Sequence, residues 1–210
     1  MIRVLIADDH AVVREGLKQI LKETKDIVVR GEACDAQEAI EMVHSKEWDV
    51  VVMDISMPGR NGLEVLKQLK QERPRLPILI LSIHPEDQYG VRALRAGASG
   101  YLNKECAPNQ LEEAIRKVLS GGKFISPHLA EKLAFNLDEA QGKALHESLS
   151  NREFQVFRML TSGKAVSDVA AELSLSVKTV STHRARILGK MKMKNNAELT
   201  RYAFENKLAD

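Results

Sequence analysis

Ile2-Arg3-Val4-Leu5-Ile6-Ala7-Asp8-Asp9 and, further along, Val50-Val51-Val52-Met53-Asp54 decide the fold. Each is a short, mostly apolar run closed by acid, the pattern of a strand buried on both faces of a parallel sheet. In an open α/β sheet the binding crevice lies beyond the strands' carboxyl ends, so Asp8, Asp9 and Asp54 are expected to converge there. Three like charges in one crevice repel and favour a hard divalent cation, Mg²⁺, which accepts few protein oxygens and keeps several waters. A carboxylate beside such an ion can accept a phosphoryl group. Acids after strands also cap helices, and Asp8 or Asp9 alone reads as a cap. Other strand ends shift the balance: Ser82 follows Ile78-Leu79-Ile80-Leu81, and Lys104 follows Gly100-Tyr101-Leu102-Asn103. The series is acid, acid, hydroxyl, ammonium.

Outward from these runs, hydrophobic spacing predicts strands near 2–7, 27–32, 50–53, 78–81 and 100–102. Helices are expected at 11–23, 36–45, 61–72, 86–96 and 108–120. Pro58, Pro74, Pro77 and Pro85 all fall in loops, where a missing amide donor is tolerated. A five-fold β/α alternation predicts a doubly wound, five-stranded parallel sheet. After Gly121-Gly122 a short helix is expected over 127–136, then a polar stretch, 138–147, without an apolar face. The organisation reads as a first domain over 1–122, a linker with a short helix over 123–147, and a second domain over 148–210.

The first part resembles the receiver domain of two-component response regulators over about its first 120 residues. The resemblance is carried by Ile6-Ala7-Asp8-Asp9-His10, Met53-Asp54-Ile55-Ser56-Met57-Pro58-Gly59-Arg60-Asn61-Gly62, Leu81-Ser82 and Gly97-Ala98-Ser99-Gly100-Tyr101-Leu102-Asn103-Lys104. It implies a flavodoxin-like fold in which Asp54 is phosphorylated by a sensor histidine kinase or phosphotransfer protein. Asp9, Asp54 and the Ser56 carbonyl are implied Mg²⁺ ligands, with Asp8 reaching the ion through water. Lys104 and Ser82 are implied to bond phosphoryl oxygens, and Tyr101 to turn into the space that Ser82 leaves. Asn103 departs from the family pattern, which favours an apolar residue before the lysine.

At 210 residues, 44% hydrophobic and only 4% aromatic, the chain suits one or two helix-rich globular domains. No stretch approaches the roughly 18 apolar residues of a membrane span, and the start meets acids too soon for a signal peptide. No membrane partner is expected, and the expected location is the cytoplasm, where Cys34 and Cys106 read as free thiols. The net charge of +2 conceals an asymmetry. Residues 1–147 hold 20 Lys/Arg against 23 Asp/Glu, whereas residues 148–210 hold 11 against 6. Between Glu172 and Glu198 stand Lys178, Arg184, Arg186, Lys190, Lys192 and Lys194 without one acid, which suits a polyanion. Charge alone leaves an ordinary solvated face equally open.

Helical signals fill this tail. Ser150 precedes Glu153 by three residues, a capping pattern, and Phe154, Phe157 and Leu160 keep helical spacing until Gly163. A second helix is expected over 166–173, and Ser176 caps a third that runs to about Met191. Short helix, tight turn and longer basic helix are helix-turn-helix grammar. On the third helix Val177, Val180, Ile187, Leu188 and Met191 form an apolar side. Lys178, Ser181, Thr182, Ala185 and Gly189 lie opposite, where small groups let the backbone approach bases. Thr179, His183, Arg186 and Lys190 line a flank suited to phosphates. Arg184 falls toward the apolar arc, its guanidinium able to snorkel to a phosphate. His183 also fits an interior histidine.

This tail is similar, over 149–203, to the helix-turn-helix output domain of the NarL/FixJ and LuxR type. The matching residues are Leu149-Ser150-Asn151-Arg152-Glu153, Val169-Ala170-Ala171-Glu172-Leu173, Ser176-Val177-Lys178-Thr179-Val180-Ser181-Thr182-His183 and Ile187-Leu188-Gly189-Lys190-Met191. The resemblance implies double-stranded DNA as ligand, a fourth helix over 196–206 used for dimerisation, and a homodimer when active. RNA polymerase is a candidate further partner. Ala165-Val166-Ser167-Asp168 departs from the usual polar run.

A phosphorylation-controlled, non-enzymatic transcription regulator is therefore expected. Aspartyl phosphatases of the haloacid-dehalogenase type share Asp, Ser, Lys and Mg²⁺, but they carry a second acid two residues after the nucleophile. Ser56 stands there, and a phosphatase leaves the basic tail unexplained. A regulator working through protein partners alone leaves the acid, hydroxyl and lysine set without a purpose.

Overall fold

Five apolar runs become five strands: β1 (Ile2–Ala7), β2 (Ile27–Ala33), β3 (Val50–Asp54), β4 (Ile78–Ser82) and β5 (Gly100–Asn103). All pair in parallel in the order β2-β1-β3-β4-β5. The computed structural model describes residues 1–57, 60–138 and 144–208. Pro58 and Gly59 of the quoted motif, and 139–143 of the polar stretch, lie outside the described residues. The chain divides into two compact units, Met1–Leu133 and Ala134–Asp210.

Parallel strands need long crossovers, and five helices supply them: α1 (Ala11–Lys22), α2 (Ala36–Ser45), α3 (Gly62–Glu72), α4 (Glu86–Arg95) and α5 (Ala107–Leu119). Every residue of β3 and β4 is buried, which explains why these strands lack polar alternation. Val4, Ile6, Val52, Leu79 and Leu81 pack with Leu17 and Leu21 of α1 and Leu111, Ile115 and Val118 of α5. Period two sends Leu5, Val51, Met53 and Ile80 to the opposite face, equally buried. The order reverses direction between β1 and β3, so the crevice opens there. Register then sets the rim: Ala7 stands opposite Met53, Asp54 opposite Leu81, and Ser82 opposite Asn103. The doubly wound sheet is as the sequence predicts, with strands two to five each one residue longer.

The stretch read as a linker is more ordered than its composition suggests. Phe124 forms a β-bridge with Gly100, and α6 (Pro127–Asp138) follows. Further on, Leu145–Ser148 make a 3₁₀ turn whose His146 Nδ1 lies 2.9 Å from the Tyr202 hydroxyl. The short helix is as expected, whereas the β-bridge and the His146–Tyr202 contact join residues distant in sequence, which hydrophobic periodicity does not announce.

In the second unit α7 (Asn151–Thr161), α8 (Val166–Glu172), α9 (Val177–Met191) and α10 (Asn196–Glu205) follow the predicted order. Ser150 and Glu153 form the anticipated capping box on α7. Phe154, Phe157, Val169, Val180, Ile187, Met191, Leu199 and Ala203 make the core, the two phenylalanine rings 6.1 Å apart. Ser174 adopts a left-handed φ of 52° in the tight turn before α9. One position departs: Val177, placed on the apolar side, is the first residue of α9 and is 53% exposed. No described helix is long and apolar enough to cross a membrane.

Leu79 has no exposed surface. Leu79→Ala is expected to destabilise the first unit by about 2–5 kcal/mol, as lost transfer energy plus a residual cavity. A urea titration reads this as a lower midpoint with unchanged slope.

Candidate functional site

The rim of the sheet brings four sequence-nominated side chains together. Asp8 extends β1, Asp54 closes β3 and Lys104 follows β5; Lys104 Nζ lies 2.6 Å from Asp8 Oδ2 and 2.7 Å from Asp54 Oδ2. Both carboxylates are buried, whereas Asp9 keeps partial access to solvent. The Ser56 amide donates to Asp54 Oδ1 at 2.9 Å, which orients the carboxylate. Asn103, the departure from the family pattern, caps the turn carrying Lys104 by accepting from the Glu105 amide at 2.8 Å. Its amide side chain thus helps aim the lysine.

Burial pushes the Asp54 carboxyl above the usual carboxylate range, against the pull of Lys104 and the Ser56 amide. Burial alone would depress Lys104, but the facing Asp54 and Asp8 carboxylates raise it above its ordinary value. The charged ammonium therefore offsets part of what burial does to the Asp54 carboxylate.

The residues fit a hard cation. Asp8, Asp9, His10 and Asp54 offer ligand atoms that all lie within 4.8 Å of one another. Asp8 Oδ2 and Asp9 Oδ1 are closed to solvent and each meets one nitrogen, Lys104 Nζ and His10 Nδ1, so each oxygen keeps a lone pair for a metal. Carboxylate oxygens are the donors that Mg²⁺ prefers. His10 received no role from sequence, yet its Nδ1 lies 2.9 Å from Asp9 Oδ1. Its position next to the acidic pair was the available signal. Arg14 was missed too; its Nη1 donates to the Asp8 carbonyl at 2.7 Å and steadies the turn carrying both acids.

Ser82 and Tyr101 meet through His84. The Ser82 hydroxyl accepts from the His84 amide at 3.1 Å, and the Tyr101 hydroxyl donates to the His84 carbonyl at 2.8 Å. Tyr101 is thus turned inward and buried.

On α9, Lys178, Thr179, Ser181, Thr182, Ala185, Arg186 and Lys190 are exposed, and His183 and Arg184 half-buried. Ser176, Lys178, Thr179, Thr182, His183 and Arg186 line one open depression. Two of the nominated cations pair with other helices. Lys190 Nζ lies 2.6 Å from Glu153 Oε2, and Arg184 Nε donates to Asn196 Oδ1 at 2.7 Å. Burial works to raise Glu153, yet Lys190 and the Ser150 donors hold it below the usual range.

Asp54 with a raised pKa binds more protons folded than unfolded, so its contribution to stability declines as pH rises through the carboxylate range. Lys104→Met removes the main opposing influence. The variant is expected to lose stability more steeply than wild type as pH rises through and above the usual carboxylate range, read from urea midpoints at each pH.

Comparison with known proteins agrees with this geometry. Residues 4–116 match the family model for the response regulator receiver domain, and residues 147–203 that for bacterial regulatory proteins of the luxR family. The response regulator UvrY of Escherichia coli is 36% identical over 211 residues, covering 100% of this chain and 97% of that protein. GacA of Pseudomonas protegens is 35% identical over 210 residues, covering 100% and 99%. A Salmonella typhimurium RcsB structure superposes with a TM-score of 0.71 at 26% identity, covering 98% of each chain. Another RcsB structure, from Salmonella enterica serovar Typhimurium, is bound to the rprA promoter in the presence of the phosphomimetic BeF3⁻; its TM-score is 0.67 at 26% identity, covering 96% and 97%. These relatives are regulators rather than phosphatases, and the enzyme alternative falls with them. With both halves matched and the full length shared with UvrY and GacA, the chain belongs to the NarL/FixJ family of response regulators, a receiver domain followed by a LuxR-type DNA-binding domain.

Proposed function

We propose that this regulator accepts a phosphoryl group on Asp54 from the phosphohistidine of a sensor kinase and, so modified, binds double-stranded DNA as a homodimer. The observation that carries the reading is the placement of Lys104 Nζ between Asp8 and Asp54 at the rim of the sheet. An Asp54 carboxylate oxygen attacks phosphorus, the P–N bond breaks, and its electron pair stays with the departing imidazole. Asp54 must be ionised to attack, and Lys104 favours that form against burial. The same ammonium then pairs with a phosphoryl oxygen, while the Ser82 hydroxyl leaves the His84 amide to bond another. Asp8, Asp9, Asp54 and the Ser56 carbonyl would hold Mg²⁺, whose charge offsets that of the incoming phosphoryl group.

On the DNA side, Ser181, Thr182 and Ala185 would face bases, with Lys178 beside them. Thr179, His183 and Arg186 would take phosphates. Lys190 reaches a phosphate only by leaving Glu153, and Arg184 supports the fold through Asn196 while its remaining nitrogens stay available. The RcsB complex with promoter DNA, 26% identical, supports carrying DNA binding to this chain. RNA polymerase is the further partner such a dimer meets at a promoter. A switch from 1% to 99% active needs roughly 5.5 kcal/mol of differential stabilisation. Charge-assisted hydrogen bonds of about 1.5–3 kcal/mol each at the phosphoryl group are of the right size to supply much of it.

Asp54→Asn is expected to abolish acid-labile phosphate incorporation from acetyl phosphate, followed by intact mass; retained labelling places the acceptor elsewhere. Arg186→Ala is expected to weaken all DNA sites alike and to reduce the salt slope by about 1, whereas Thr182→Ala alters sequence preference. Equal effects of both substitutions on every sequence would contradict the division between phosphate and base contacts.

A further inference from the structure

Gly90 sits in the interior of α4, where glycine weakens a helix relative to alanine. Its use lies outside the helix. A Cβ at Gly90 would lie 2.7 Å and 2.9 Å from the two methyl carbons of Leu129, a fully buried side chain. Gly100 opens the neighbouring strand in the same way, since a Cβ there would stand 2.6 Å from the Phe124 carbonyl oxygen. The main chains pair across this gap: Phe124 N donates to Ser99 O at 3.0 Å, and Tyr101 N donates to Phe124 O at 2.9 Å. Two glycines thus clear a track across α4 and β5 for residues 123–129.

Polar groups hold the segment in that track. The Ser126 hydroxyl donates to Glu86 and accepts from the Leu129 amide at 3.0 Å. His128 Nε2 lies 2.9 Å from Asp87 Oδ1, and Lys123 Nζ donates to the Ala98 carbonyl. Glu86 and Asp87 form the first turn of α4, immediately after the loop that carries His84. The His84 ring stacks on Tyr89 of the same helix, centroids 5.0 Å apart. An unbroken line of contacts therefore runs from the Ser82 hydroxyl through His84 to Tyr101 and α4, and from both of these to the head of α6.

We infer that residues 123–129 are an output strap, docked on α4 and β5 while Asp54 is unmodified and released when the phosphoryl group draws Ser82 from His84. The inference rests on the phosphoacceptor role of Asp54. Losing the His84 bond shifts the entry to α4, the grip of Glu86 and Asp87 slackens, and the bridge to β5 opens. The first turn of α6, which precedes the DNA-binding unit in the chain, is then no longer fixed to the receiver.

Hydrogen–deuterium exchange on the full-length protein tests this, with Mg²⁺ alone and with Mg²⁺ plus acetyl phosphate, while intact mass follows phosphorylation. The expected result is about tenfold faster exchange at the Phe124 and Tyr101 amides in the phosphorylated sample. Leu129→Ala and Gly90→Ala, which undo the same contact from opposite sides, are expected to show that exchange without phosphorylation. Both should also bind DNA about tenfold more tightly than unphosphorylated wild type. A phosphorylated protein whose strap amides stay protected, or two loosened variants with no gain in DNA affinity, would overturn the strap and leave the phosphoacceptor role standing. Absence of any mass gain overturns both.

Discussion

A single ammonium between two buried carboxylates holds the rim of the receiver together. Asp8, Asp54 and Lys104 come from the ends of three strands, and each would be unfavourable alone in so little water. Together they are balanced unevenly, because two acids and a third at Asp9 face one lysine. That surplus of negative charge is why the pocket suits a divalent cation, and under the proposed function it is why such a cation and Lys104 together would offset the charge of a phosphoryl group. Charge accounting in one crevice thus links the sheet's topology to its chemistry.

Under the proposed function the pocket would communicate through the groups bonded around His84. Ser82 has its amide partner at His84, and Tyr101 has its hydroxyl partner there too, so one short loop carries both side chains. Packed elements of this kind respond in discrete rearrangements rather than by smooth deformation. The strap extends the same logic past β5, since a segment paired through its main chain to the strand of Tyr101 cannot ignore where that strand's neighbours sit.

In the DNA-binding unit, charge and position separate. Lys190 and Arg184 look equivalent to Lys178 and Arg186 as basic residues of one helix, yet the first two face α7 and α10. Lys190 neutralises a glutamate that also caps α7, joining α9 to α7. The residues left facing outward are small or flexible, as close approach to a groove requires.

Much of this is legible in the amino-acid sequence. Apolar runs ending in acid identify the strands, the parallel sheet and hence the convergence of Asp8, Asp9 and Asp54, because strand direction alone decides which end carries the crevice. Helical periodicity and the Ser150 and Ser176 caps likewise identify the second unit. What periodicity does not encode is contact between elements distant in sequence. The exposure of Val177, the internal partners of Lys190 and Arg184, and the role of Arg14 at the Asp8 carbonyl depend on neighbours that a one-dimensional pattern leaves out. The same holds for residues 123–129, assigned from sequence to the linker and the start of its short helix: the hydrogen bonds and the two glycine clearances that fasten them to α4 and β5 depend on such neighbours. Composition and spacing determine which elements form and which faces they bury; only the folded chain decides which polar groups meet across them, since hydrogen bonds and ion pairs depend on distance in space.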